Sequence, residues 1–216
     1  MIGPRLCAQL TLSHTLPVFA TTRRQLRALA VPEMGPSMDV SVLHTATECL
    51  AEYLSEVTQG DLGQSTPVPG RDIGDLYLYL IDRNITVTAA LMPDSGQSQV
   101  GLTSRSTLDA SVNVYGGGFE ERYRRSALQM EDAFASVSDA DVRCRIDGVE
   151  IEAGAMYDQQ VSETVIHTWD VAHALGLTFH PPLEVARRIL KTLEEQSIED
   201  VDAVWVSALR LSGRLS

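Results

Sequence analysis

From Met38 onward, apolar residues return at every third or fourth position. Leu43, Ala46, Leu50, Leu54 and Val57 make one face, which predicts an amphipathic helix ended by Gly60. The following TPVPGRD (66–72) holds two prolines and a glycine and reads as a turn. Asp72 is placed to cap a second helix, with Asp75 favouring its positive end. That helix carries Ile73, Leu76, Leu80 and Ile81 and is expected to reach residue 92. Residues 93–118 are rich in Gly, Ser, Thr and Asn, a length that suits a functional loop or lid. A third helix places Phe119, Tyr123, Ala127, Met130 and Phe134 on one stripe.

The period then changes. Val142, Cys144 and Ile146 alternate, Asp147-Gly148 supplies a turn, and Val149 and Ile151 resume the alternation, which predicts a β-hairpin. A fourth helix is expected over 153–175, stopped by Gly176. A fifth, amphipathic helix is expected over 182–197, and VDAVWVSALRL (201–211) forms a last helix or strand. No internal repeat is present. The elements predict a mainly all-α fold, an up-down four-helix bundle with a small hairpin before the fourth helix.

Composition narrows the picture. The chain has 216 residues, enough for one well-filled domain, and 44% hydrophobic with 21% charged residues is ordinary for a globular protein. A net charge of −12 with no basic patch argues against nucleic acid as a partner. No run approaches the roughly 18 apolar residues of a membrane span. Cys7, Cys49 and Cys144 are widely spaced, which gives neither a zinc ribbon nor a disulfide framework and suits a reducing cytoplasm. Residues 1–37 differ in character, with Arg5, Arg23, Arg24 and Arg27 against a single acid, Glu33. The segment has the look of a transit peptide or of an upstream start before Met38. It is expected to be disordered, leaving 38–216 as the single helical domain.

Within the fourth helix, SETVIHTWDVAHALGL (162–177) sets polar groups into an apolar pattern. At about 100° per residue, His167 is rotated about 40° and Asp170 about −20° from Glu163, so the three share one stripe. A Glu–His pair at i, i+4 can chelate one ion, and zinc, nickel, iron or manganese accept such donors. A third ligand must come from another helix. Such pairs are also common as surface salt bridges or bonded core polar groups. Asp170 suits a hydrogen bond to a ligated histidine better than ligation. Trp169 reads as a packing residue, and His44, His173 and His180 as solvated surface histidines.

ETVIHTWDVAHALGL (163–177) resembles the E-x-x-x-H-x-W-D-L-A-x-A-x-G signature of mycothiol-dependent maleylpyruvate isomerase-like proteins, in the DinB-like four-helix superfamily. TPVPGRDIGDLYLYLIDRN (66–84) is similar to that family's turn and second helix, T-P-C-x-x-W-x-V-x-D-L-x-x-H-L, and DGVEIEAG (147–154) to the step before its fourth helix. The resemblance spans residues 38–180. It implies a divalent metal held in the bundle core by Glu163, His167 and a histidine on the second helix. That last position holds Tyr79, and the family's preceding tryptophan falls at Arg71 or Asp72. A neutral phenol is a poorer ligand than imidazole. Asp75 and Asp82, one turn to either side, are the substitutes. An Asp/Glu/His set suits manganese or iron better than zinc.

The resemblance further implies a small thiol such as mycothiol, activated by the metal to attack an electrophile in an isomerase or S-transferase reaction. It leaves the catalytic and cofactor-binding residues unassigned and suits a monomer or homodimer. The residues after Gly176 are too few for the further C-terminal domain of some family enzymes. That favours a general metal-dependent role over the isomerase reaction itself. The alternative is a non-enzymatic helical protein of the same fold whose metal site has degenerated.

Overall fold

The α-helices follow the apolar stripes closely. In a computed structural model, which describes residues 38–93, 108, 118–192 and 201–215, α1 covers Ser41–Ser55, α2 Ile73–Leu91, α3 Phe119–Ala135 and α4 Ala153–Ala174. The stripe residues Leu43, Leu50, Leu54, Leu76, Met130 and Phe134 are all fully buried. Helix α1 stops before Val57 because Thr58 and Asp61 form a reciprocal capping box around a separate 3-10 turn, Gln59–Asp61. Val57 is still buried, carried inward by that turn. The start of α2 is the expected cap, Asp72 Oδ1 accepting from the Asp75 N–H at 2.8 Å. The expected N-terminal disorder (1–37) and loop or lid (93–118) fall almost wholly outside the described residues.

Helices α1 and α2 each pack against both α3 and α4, so they occupy opposite corners of a four-helix bundle. Strands β1 (Arg143–Ile146) and β2 (Val149–Glu152) pair antiparallel immediately before α4, with Ile146 opposite Val149. The turn between them holds Asp147 at φ 50° and Gly148 at φ 81°, the left-handed conformations that a tight hairpin requires. The hairpin buries Cys144 and Ile146 but leaves Val142 and Val149 exposed. Its role is positional: β1 rests on α2 and delivers the turn to that helix.

Helix α4 ends as expected. Gly176 adopts φ 71° and the Leu177 N–H reaches back to the Ala172 carbonyl at 2.8 Å. Helix α5 (Leu183–Thr192) packs on α4, and the undecided segment 201–211 is a helix, α6 (Val201–Leu211), paired with α5. The expected extension of α5 beyond 192 lies outside the described residues. Phe179 joins these parts, edge-to-face with Tyr53 of α1 at 5.6 Å and with Trp205 of α6 at 5.9 Å. No helix among the described residues is long and apolar enough to cross a membrane.

Candidate functional site

The site forms where α2, α4, the hairpin turn and the residues after α6 meet. Helix α4 supplies Gln159, Glu163, His167 and Asp170, spaced by four, four and three residues along one stripe. Helix α2 supplies Tyr79 and, one turn later, Arg83. The turn before α2 supplies Arg71. Its backbone is fixed by bonds from the Arg71 N–H to Val68 and from the Thr66 N–H and hydroxyl to the Arg71 carbonyl.

Glu163 does not stand free. Its Oε2 accepts from Arg83 Nε at 3.1 Å and its Oε1 accepts from Gln159 Nε2 at 2.9 Å. The Arg83 side chain is 12% exposed and also lies 3.8 Å from Asp147 of the hairpin turn. The pair therefore sits at the rim of the bundle rather than in open water, where screening is weaker. Tyr79 packs edge-to-face on the imidazole of His167, with 5.5 Å between ring centroids. On Tyr79 itself stacks the Arg71 guanidinium, 4.5 Å from the ring centroid. Burial pushes the Tyr79 phenol above its ordinary range and the Glu163 carboxylate adds to this, while Arg83 and Arg71 pull the other way.

His167 has a second partner. Its Nδ1 lies 2.9 Å from Oδ2 of Asp170, a side chain with no exposed surface. Asp170 in turn accepts two bonds from the fork of Arg214, at 3.1 and 3.0 Å.

The stripe Glu163–His167–Asp170 stands as the spacing predicted, and Tyr79 of α2 packs against it. Asp75 and Asp82, the substitutes for the third position, are both exposed. Among the described residues no group of three or more His, Cys, Asp or Glu side chains lies together as a metal-binding set. His44 corrects a sequence expectation. It is half exposed, yet its Nδ1 lies 2.9 Å from Oε2 of the buried Glu131. His173 is exposed and stacks on Trp169 at 4.8 Å, and His180 is exposed.

Arg83 and Arg214 were not visible as site residues in the sequence. Arg83 had a signal, since it follows Tyr79 by one helical turn. Arg214 had none, because 44 residues separate it from Asp170.

A solved structure of a histidine-to-alanine mutant of the mycothiol-dependent maleylpyruvate isomerase is similar to this chain. The TM-score is 0.51, with 15% identity over 71% of this chain and 67% of that one. The likeness is one of fold: a helical bundle with a two-stranded hairpin ahead of a later helix. No family profile matches the chain. No curated protein sequence matches it.

Proposed function

We propose that this chain is a metal-independent binding protein for a small acidic molecule, built on the helical fold it shares with the mycothiol-dependent isomerase. The observation that carries this reading is the Arg83–Glu163 pair. A permanent cation occupies the carboxylate that a divalent ion would need, and the second oxygen is taken by Gln159. The donor on α2 fits a metal poorly as well. Tyr79 is held in its neutral form by burial and lies against the imidazole of His167. We therefore infer that a resident divalent ion does not suit this donor set. What the set offers instead is the Arg71 guanidinium over the Tyr79 ring. Arg71 lies over the Tyr79 ring with no carboxylate bonded to it among the described residues. Planar guanidinium groups suit carboxylate or phosphate ligands.

A second reading keeps the metal. Glu163 and His167 lie one turn apart with Tyr79 against the imidazole, on a fold shared with a mycothiol-dependent enzyme. In that reading Arg83 swings off Glu163, and a zinc, manganese, iron or nickel ion activates a small thiol toward an electrophile. Free thiols at Cys49 and Cys144 accord with the reducing cytoplasm this would need.

Metal content of protein purified without an affinity tag separates the two. The native chain is expected to carry no stoichiometric metal, and the double variant Tyr79→His with Arg83→Leu to gain zinc. Stoichiometric native metal that is lost in His167→Ala would establish the second reading and sink the first. Calorimetry with phosphate and a panel of small mono- and dicarboxylates tests binding directly. Arg71→Ala is expected to weaken the best of them about tenfold, the loss of one charge-assisted bond. Absence of binding across the panel would defeat the proposal.

A further inference from the structure

The Arg83 side chain is 12% exposed, yet among the described residues only its Nε makes a hydrogen bond, to Glu163 at 3.1 Å. A guanidinium carries five N–H donors, so four remain on Nη1 and Nη2. Among the described residues the sealed side-chain polar atoms without a partner are Gln160 Oε1 and Trp205 Nε1, so both terminal nitrogens of Arg83 reach solvent. The acid that faces them is Asp147 of the hairpin turn, whose Oδ2 lies 3.8 Å from Nη1. That distance gives attraction without a hydrogen bond.

The two carboxylates on Arg83 are held very differently. Glu163 is 25% exposed, and its other oxygen accepts from Gln159 at 2.9 Å. Asp147 is 76% exposed, and its carboxylate accepts no hydrogen bond from the described residues. The turn still fixes where it stands, with Asp147 at φ 50° and Gly148 at φ 81°. The charges of Arg71, Arg83, Glu163 and Asp147 all act on the Tyr79 phenol, which places them around one ring. Two cations are thus met by two carboxylates, one firmly bonded and one loosely.

We propose that Asp147 occupies the seat of the ligand's acid group: a small carboxylate binds by displacing Asp147 from the terminal nitrogens of Arg83, and the hairpin turn is an internal competitor for the site. The inference rests on the reading of this chain as a binder of small acids and adds where the acid sits. The exchange keeps the charge balance around Tyr79. An untethered carboxylate can meet the planar N–H pair in two parallel bonds, which Asp147 at 3.8 Å does not. Giving up an exposed pair at that separation costs little. Glu163 is not the group displaced, because that would leave a mostly covered carboxylate without its cation.

The test is calorimetry with acetate, succinate and inorganic phosphate on the full chain and on Asp147→Asn. Asparagine accepts the left-handed conformation, so the turn is kept. Asp147→Asn is expected to bind the carboxylates about threefold more tightly, the worth of an exposed ion pair that no longer competes. Glu150→Gln removes a charge from the same hairpin, at a residue paired with Arg143 and Arg145, and is expected to leave affinity unchanged. Equal tightening in Glu150→Gln would mean that net charge alone is at work and overturns the proposal. So does tightening confined to phosphate, or an Asp147→Asn chain with native circular dichroism and wild-type affinity. If Arg71→Ala still weakens binding in that last case, the acid-binding reading survives. A probe that binds Asp147→Asn but not the native chain upholds the inference and defeats that reading; no binding to either chain ends both. If Asp147→Asn fails to fold, Asp147→Gly, which suits the same turn, is judged by the same outcomes.

Discussion

Single side chains decide the chemistry here, and the tyrosines of α2 show how. Tyr79 faces a carboxylate and two guanidinium groups, whereas Tyr77, two residues earlier, enters the core and donates its hydroxyl to the Phe119 carbonyl at 3.0 Å. Burial pushes the Tyr77 phenol up to about 12, from an ordinary value of 10.0. The raised value means that the fold favours the neutral phenol. Its contribution is whole below pH about 10, where the unfolded chain ionises, and is lost as pH climbs toward about 12. That interval corresponds to roughly 2–3 kcal/mol. Burial pushes Tyr123 in the same direction. Urea midpoints measured across this alkaline range are expected to fall steeply in the native chain and less steeply in Tyr77→Phe. At neutral pH the same variant is expected to lose about 1 kcal/mol with its hydrogen bond. At this scale the candidate residues Glu163, His167, Asp170 and Tyr79 were legible from helical spacing and from the motif. Their partners were not. Spacing says which side chains share a stripe, but not which cation a neighbouring helix brings to it.

At the scale of elements, α2 and α4 are the two frames that carry the site, and the start of α2 sets where Arg71, Tyr79 and Arg83 stand. The cap at Asp72 and the bonds of the preceding turn act together on that start. Asp72→Ala is expected to cost about 1 kcal/mol in thermal or urea unfolding, through the unsatisfied Asp75 N–H. The N-terminal boundary of α2, the fourth helix with its glycine stop and the Asp147-Gly148 turn were all readable, because caps and turns are local chemistry. The exposure of Val149 was not readable. An alternating pattern predicts a buried face, but a two-stranded hairpin with only α2 and α4 beside it covers few of its apolar residues.

The whole molecule joins the bundle to α5 and α6 through Phe179, which is 7% exposed and touches rings on α1 and α6. Phe179→Ala is expected to cost about 3–5 kcal/mol. Amide hydrogen exchange should then rise first in α6, and with it the hold of Arg214 on Asp170 should weaken; exchange that rises evenly over all helices would contradict this joint. The sequence alone determined the four helix stripes, the hairpin and the Glu163–His167–Asp170 stripe, because periodicity, caps and turn residues act over a few neighbouring positions. Only tertiary structure decided that Glu163 is bonded to an arginine of α2, that Asp75 and Asp82 stay outside, and that Arg214 closes on Asp170. Those outcomes depend on which charges the packed helices bring within about 3 Å of one another, a distance at which pairing and desolvation outweigh anything the local pattern encodes.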